Sequence, residues 1–457
     1  MRGSREPGAG TREAGVRVVP GASLLVLAAL VVAPLLTFAY AGFGAPESIL
    51  ALAGLCAAVA MDAAAARKDL RAVRVSGAEL IRLWKDRDDA IELTFHSADR
   101  KGRTLRLALD LPDQFVSPSS DLLITLPVGA ENARVEWKTT PRKRGKYFLN
   151  RCAIENRSPL RLWNGRTSLA LDVEIRVYPN LASEQKNAPD LFLRRPQMGI
   201  RLHRQIGKGR EFEKLREYVA GDGFDEIDWK ATARRGHPIT RVFQVERTQE
   251  VYIVLDSSRL TARPVAAGDS SILERNITAS LLLALAAERR GDLFGLVTFS
   301  DRVHGFVRAR GGKTHYGACR ETLYTLEPRI VTPDFDEVCT MLRLQLRRRA
   351  LIVFLTELDD PVLAESFAKN VDLLRRRHVV IAAMARPPAA QPLFSGKPPE
   401  NADDVYRDLA GHLLWNKLRE LGKQLEHLGV RFAMLDPGKA GVQLTSLYAD
   451  IKQRQLL

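Results

Sequence analysis

Tyr252-Ile-Val-Leu-Asp-Ser-Ser-Arg-Leu260 passes from an apolar run straight into oxygen-bearing side chains. A continuous apolar run, in place of an alternating one, is the pattern of a strand buried on both faces. Leu293-Phe-Gly-Leu-Val-Thr-Phe299, Leu351-Ile-Val-Phe-Leu355, Val379-Val-Ile-Ala382 and Val430-Arg-Phe-Ala-Met-Leu435 share it. Helical periodicities fall between these runs, at about 270–290, 314–326, 335–349, 362–376 and 402–428. Alternating β and α segments predict an α/β domain over residues 247–457, with a Rossmann-like, mostly parallel sheet and helices on both faces. Ligands of such sheets bind beyond the carboxyl ends of the strands, where the strand order reverses.

Asp256 and Ser258 follow the first strand, Thr356-Glu357 follows a later one, and Gly311-Gly-Lys-Thr314 opens a helix between them. Carboxylate and hydroxyl oxygens gathered at strand ends suit Mg²⁺, a hard cation. The arrangement resembles the metal-ion-dependent adhesion site of von Willebrand factor A domains, where D-x-S-x-S, a threonine and an aspartate surround one ion. The resemblance implies Asp256, Ser258, Thr314 and Glu357 as metal ligands. Leu260 replaces the second serine and Glu357 the aspartate, and both changes weaken a small octahedral site. The expectation is a degenerate site that binds Mg²⁺ weakly or serves as a partner-docking rim.

The chain of 457 residues is too long for one core. Its start is a different material. Residues 21–40, GASLLVLAALVVAPLLTFAY, carry no charge and match the length of a bilayer crossing. A second apolar stretch, 49–61, ends at Asp62 and extends backward to about Ala45. Two transmembrane helices in a hairpin over 21–66 are expected. Arg2, Arg5, Arg12 and Arg17 precede it, Arg67, Lys68, Arg71 and Arg74 follow it, and the link between the helices holds only Glu47. Positive charge on both outer flanks places the 1–20 tail and everything after residue 67 in the cytoplasm, at the inner membrane. The soluble part is expected to fold without the hairpin.

Over 67–182 the pattern has period two. Ala90-Ile-Glu-Leu-Thr-Phe95, Leu105-Arg-Leu-Ala-Leu109, Leu122-Leu-Ile-Thr-Leu126 and Leu169-Ala-Leu-Asp-Val-Glu-Ile-Arg-Val177 read as strands of a small β-sandwich. Trp84, Trp137 and Trp163 are expected to pack in its core or rim.

Residues 183–246 begin as a polar linker broken by Pro189 and Pro196. The segment 215–236, LREYVAGDGFDEIDWKATARRG, follows. Asp222, Asp225 and Asp228 lack the alternate-position oxygens, turn glycine and distal glutamate of a calcium loop. They read instead as parts of a capped, salt-bridged helix pair braced by Asp228. The segment resembles the signature of the bacterial family known as domain of unknown function 58. Pro141-Arg-Lys-Arg-Gly-Lys-Tyr147, Ser158-Pro-Leu160 and Val177-Tyr-Pro179 look like that family's β-domain landmarks. The resemblance implies a multidomain membrane protein that works beside a MoxR-type AAA+ ATPase and an unidentified protein client.

The residues speak against catalysis. Gly312-Lys313-Thr314 ends like a phosphate-binding loop, but the required earlier glycine would fall at Val307. No serine sits in a G-x-S-x-G elbow, no H-E-x-x-H pair occurs, and the eight histidines are scattered. A Mg²⁺-dependent hydrolase using Asp256 and Glu357 is the enzymatic alternative. The net charge of +15 raises a second one, a basic surface for nucleic acid or anionic lipid. No nucleic-acid module supports specific recognition, and Arg347-Arg348-Arg349 and Arg375-Arg376-Arg377 read as solvated helix ends. Four dispersed cysteines suit a reducing compartment and form no zinc motif. The reading is a membrane-anchored adaptor with no small-molecule substrate.

Overall fold

The computed structural model describes residues 15–40, 45–98, 102–182, 206–219, 223–244, 249–264, 270–393, 395, 401–436 and 438–454. They form two compact units, Met1–Asn180 and Leu181–Leu457.

In the first unit, two sheets face each other. One contains, in order, Arg17–Pro20, Trp163–Tyr178, Gly145–Arg157, Arg103–Leu109 and Leu122–Leu126, with Leu80–Trp84 parallel to Trp163–Tyr178. The other contains Val73–Gly77, Asp89–Ser97, Asn132–Pro141 and Phe115–Val116. Period-two sequences turn one face of each strand inward. Ile91, Leu93 and Phe95 of one sheet thereby share a core with Leu105, Leu107, Ile154, Val173 and Ile175 of the other. Trp137 is buried there, as expected of a core tryptophan.

The hairpin and this sandwich are not separate, contrary to expectation. The helix Ala45–Arg71 runs unbroken through the anticipated boundary at residue 66, and Ala66 and Leu70 on its last turns are buried. The anticipated tail contributes the strand Arg17–Pro20, which pairs Arg17 with Arg166 and Pro20 with Trp163. Asp62 locks the helix down: its carboxylate accepts from Ser158 Oγ (2.5 Å) and from the Leu160 backbone N–H (2.9 Å). Trp163 donates its indole N–H to the Val59 carbonyl at 3.0 Å. Trp163 is therefore a clamp on the helix, not a core residue. Gly165 faces the same helix, since a Cβ there would lie 2.9 Å from Leu70 Cδ1 and 3.3 Å from the Ala66 carbonyl oxygen.

Among the described residues one helix, Ile49–Arg71, is long and apolar enough to cross a membrane, and Ala22–Thr37 is a shorter apolar helix.

The second unit holds the predicted sheet. Its order is Val303–Arg310, Leu293–Phe299, Glu250–Asp256, Ala350–Leu355, Val379–Ala385 and Arg431–Leu435. Neighbours are parallel except the edge strand Val303–Arg310, which is antiparallel to Leu293–Phe299. That edge strand lies where the sequence showed no continuous apolar run: it is an edge, and its side chains are mostly half-buried. Alternate residues of Glu250–Asp256 feed different cores, Tyr252 and Val254 on one face, Val251, Ile253 and Leu255 on the other. A final helix, Ala440–Gln453, packs on the Ile272–Arg289 face through Leu444, Tyr448 and Ile451.

The signature segment differs from the anticipated helix pair. Ile206–Glu217 is a strand antiparallel to Ile239–Gln244, and among the described residues between them only Trp229–Arg235 is α-helical. Asp228 caps that helix through the Ala231 N–H (3.0 Å), while Gly236 ends it in the left-handed region. Asp222 lies outside the described residues.

Asp62→Ala leaves the Ser158 hydroxyl and the Leu160 N–H unpaired in a buried contact, which costs about 1–3 kcal/mol. A lowered thermal midpoint for the full chain in detergent is the expected result. An unchanged midpoint would mean that helix and sandwich are independent.

Candidate functional site

The strand order reverses beside Glu250–Asp256, so the crevice lies at the carboxyl ends of this strand and its neighbours. Asp256 ends the strand, fully buried. Its Oδ1 accepts from the Ser258 N–H (2.7 Å) and its Oδ2 from the Thr356 hydroxyl (2.7 Å). Ser258 is also buried, and its Oγ accepts from the Leu260 N–H at 3.4 Å. Glu357 is buried one residue beyond Thr356, and its Oε1 accepts from the Ala385 N–H at 3.0 Å.

Burial raises the Asp256 carboxyl, against the opposing bonds from Thr356 and Ser258. Burial also pushes Glu357 up to about 8; the Ala385 N–H and the Arg263 charge oppose that shift, and Asp359 and Asp256 add to it. Arg263 is held nearby by a two-pronged pair with Asp359, at 2.7 and 3.1 Å. Burial disfavours the Asp359 charge, but the Arg263 hydrogen bond and charge prevail and keep that carboxyl below its usual range.

Thr314 is elsewhere. It is exposed at the start of the helix Lys313–Leu323, and its neighbour His315 bonds through Nε2 to the Phe294 carbonyl (2.6 Å). Phe294 is the second residue of its strand and Phe299, paired with Asp256, ends it. Five strand steps separate them, about 17 Å. The sequence expectation that Thr314 completes a ligand set fails because the intervening strand Val303–Arg310 carries the chain back to the opposite end of the sheet.

Another segment closes the crevice. The Arg329 N–H donates to the Ser257 carbonyl (2.7 Å), the Arg259 N–H to the Val331 carbonyl (3.1 Å) and the Asp334 N–H to the Ser300 carbonyl (2.8 Å). These bonds lay residues 329–334 across the strand ends. Ile330, 93% exposed, stands on this rim, and Thr332 is exposed two residues on. Thr356 was seen in the sequence beside Glu357 but given no place in the ligand set, and the segment 329–334 was missed. Thr356 carried a signal, a hydroxyl directly after a buried strand; the irregular segment carried none.

Ser300 and His304 also meet here, Oγ to Nε2 at 2.6 Å. Ser300 is fully buried and its Oγ also lies 2.7 Å from Asp301 Oδ1, which can only accept. The hydroxyl proton thus goes to the carboxylate, and His304 donates to the oxygen. Burial, and then the Arg329 charge, lowers the His304 pKa. The trio braces a turn and does not make an accessible nucleophile.

The residues present do not fit Mg²⁺. Both Asp256 oxygens are engaged by protein donors, Glu357 favours its protonated form near neutrality, Leu260 offers no oxygen and Thr314 is remote. Among the described residues no group of three or more His, Cys, Asp or Glu could hold a metal ion.

An acid whose folded pKa lies above its unfolded value binds more protons folded than unfolded between the two. For Glu357 that window runs from 4.5 to about 8. Its contribution is complete below the window and is lost as pH rises through it. Glu357→Gln keeps the acceptor for Ala385 and has no proton to lose. Denaturant titrations at pH 5 and pH 8 are expected to show stability falling in the parent chain and a flatter response in the variant; equal slopes would refute the assignment.

The profile of the family described as protein of unknown function DUF58 matches residues 214–397. Uncharacterized proteins of Mycobacterium bovis and Mycobacterium tuberculosis are 26% identical over 178 residues, 38% of this chain and 55% of each relative. The match thus spans about half the length of those relatives. An aerotolerance-related membrane protein from Bacteroides fragilis is similar with 12% identity and a TM-score of 0.29, over 45% of this chain and 99% of that one. The SpRpn10 VWA domain is similar with 9% identity and a TM-score of 0.27, over 44% and 95%. Proximal thread matrix protein 1 from mussel byssus, with a zinc-occupied MIDAS motif, has 11% identity and a TM-score of 0.27, over 46% of each chain. These structural likenesses are too weak to carry functional argument. The family matched over residues 214–397 is the one that the signature segment resembles.

Proposed function

We propose that this protein is a non-catalytic, membrane-anchored adaptor whose von Willebrand A-like domain presents a docking rim at the carboxyl ends of its sheet. The observation that carries this reading is the contrast between the crevice and its rim. Asp256, Ser258 and Glu357 are buried, with both Asp256 oxygens, Ser258 Oγ and Glu357 Oε1 engaged by protein donors, whereas Ile330 is almost wholly exposed directly over the strand ends. A hydrolase needs its acid, base or nucleophile within reach of a substrate. A binding face needs an exposed apolar anchor beside polar groups, and Arg259, Arg329 and Thr332 surround this one.

The partner we infer is a MoxR-type AAA+ ATPase, which would supply the energy for acting on a protein client. The anchor is a two-helix hairpin with the bulk of the chain in the cytoplasm. The pairing of Arg17–Pro20 with Trp163–Tyr178, and the docking of 59–70 on the same sandwich, support it: the chain just before the first apolar helix and just after the second lies on one side.

The nucleic-acid alternative loses ground at the arginine clusters. Arg375 and Arg376 are spent on Asp372, at 2.6 and 3.1 Å, and Arg377 donates to the Arg347 carbonyl.

Ile330→Asp is expected to weaken binding of a MoxR-type ATPase by tenfold or more, while the exposed site leaves the thermal midpoint almost unchanged. Full binding by the variant would exclude this rim. A ligand at 100 times its dissociation constant adds about 2.7 kcal/mol of stability. Millimolar Mg²⁺ is expected to leave the midpoint where it was; a large rise, or turnover abolished by Asp256→Ala, would replace the adaptor reading with the hydrolase.

A further inference from the structure

We propose that the loop 158–163 is a membrane wedge whose tip, Leu160 with Trp163, sits in the headgroup layer against anionic lipid. The inference rests on the hairpin reading and adds a second lipid contact to it.

The geometry of the two helices forces the loop to the bilayer boundary. A hydrocarbon core of about 30 Å takes about 20 helical residues at 1.5 Å each. Counting from Glu47, the last acidic residue before Asp62, such a span ends near Arg67, the first basic one. The sandwich, however, grips this helix as early as Val59 and Asp62. About two turns of helix inside the slab are therefore already covered by protein. The first helix gives the same level. Residues 22–40 reach about 28 Å and need their whole length to cross, yet the Gly21 N–H at their start donates to the Leu162 carbonyl (2.7 Å). The second measure sets the loop at the inner edge of the hydrocarbon, and the first brings its contacts on the long helix up to two turns within it.

The loop is built for that place. Leu160 is 60% exposed although its own N–H is tied to Asp62. Arg161 adopts φ +60°, which a non-glycine residue holds only at some cost, and it turns the tip outward. Trp163 lines one apolar cleft with Leu24, Leu27, Cys56 and Val59, between the two helices, while its indole N–H is satisfied. An amphipathic indole with an apolar body and a bonded N–H is the side chain favoured at the headgroup level. Exposed Arg17, Arg67, Lys68 and Arg161 flank the same level, and cations near an anionic leaflet are attracted to its phosphates. Asp62, an acid within the apolar length, has both oxygens bonded to the loop, which is how an ionisable group is tolerated there.

The test uses the full chain carrying Cys56→Ala, since the other cysteines are buried. Leu160→Cys is spin-labelled and reconstituted into vesicles of phosphatidylcholine and phosphatidylglycerol. Relaxation by lipid-soluble oxygen is compared with relaxation by a water-soluble nickel chelate. Leu50→Cys, on the apolar helix, marks hydrocarbon, and Leu123→Cys, on an exposed strand of the sandwich, marks water. The Leu160 label is expected to show an oxygen-to-nickel ratio several-fold above that of Leu123. If Leu160 matches Leu123 while Leu50 reports lipid, the wedge is overturned and the hairpin stands. If Leu50 also matches Leu123, the hairpin reading falls and the wedge with it.

Discussion

Two carboxyl groups buried at the carboxyl ends of adjacent strands set the constraint on the second unit. Removing a charge from water costs several kcal/mol unless partners or protonation compensate. Asp256 is compensated by the Thr356 hydroxyl and the Ser258 N–H, and Glu357 by the Ala385 N–H and a preference for its neutral form. Every donor in that set comes from a strand end or from within two residues of one. The parallel register of Glu250–Asp256, Ala350–Leu355 and Val379–Ala385 is therefore what brings the compensation together. With both Asp256 oxygens and Glu357 Oε1 engaged by protein donors, the set offers a hard cation or a substrate little purchase. The segment 329–334 then completes the seal and leaves an apolar residue facing outward.

The first unit solves a similar problem with a different acid. Asp62 interrupts an apolar helix, and alone it would shorten the membrane-compatible length. Bonded by Ser158 and Leu160, it becomes the point at which the helix and the sandwich are one body. The sheet register reinforces this, because Pro20 pairs beside Trp163 and the first apolar helix departs from there. The apolar helix Ala45–Arg71 and the β-sandwich thus share a core instead of being joined by a tether.

The continuous apolar runs made the parallel sheet legible, since each of the five reappears as a strand, four of them buried and the last, Arg431–Leu435, half-buried at the sheet edge. Period-two runs did the same for the sandwich. What escaped depended on partners distant in the chain. Val303–Arg310 is an edge strand with half-buried side chains and so lacks the apolar signature, and without it the return of Thr314 to the far end of the sheet was invisible. The strand Ile206–Glu217 reads as helical locally, and its pairing with Ile239–Gln244 overrides that. Asp256, Ser258 and Glu357 were legible as a group because they follow strands directly. Their internal satisfaction was not, because it hangs on Thr356 and on the Ala385 backbone, 28 residues beyond Glu357.

On this reading the strand-end crevice is a closed, proton-holding structure and not a charged site awaiting an ion. The protonation state of Glu357 tests it most directly. Difference infrared spectra of the parent chain and Glu357→Gln would isolate the carbonyl stretch of a protonated acid. This band is expected at pH 7 and is expected to fade as pH passes about 8, with Mg²⁺ leaving it unchanged. A Glu357 carboxylate already ionised at pH 6, or a band removed by Mg²⁺ at pH 7, would contradict it.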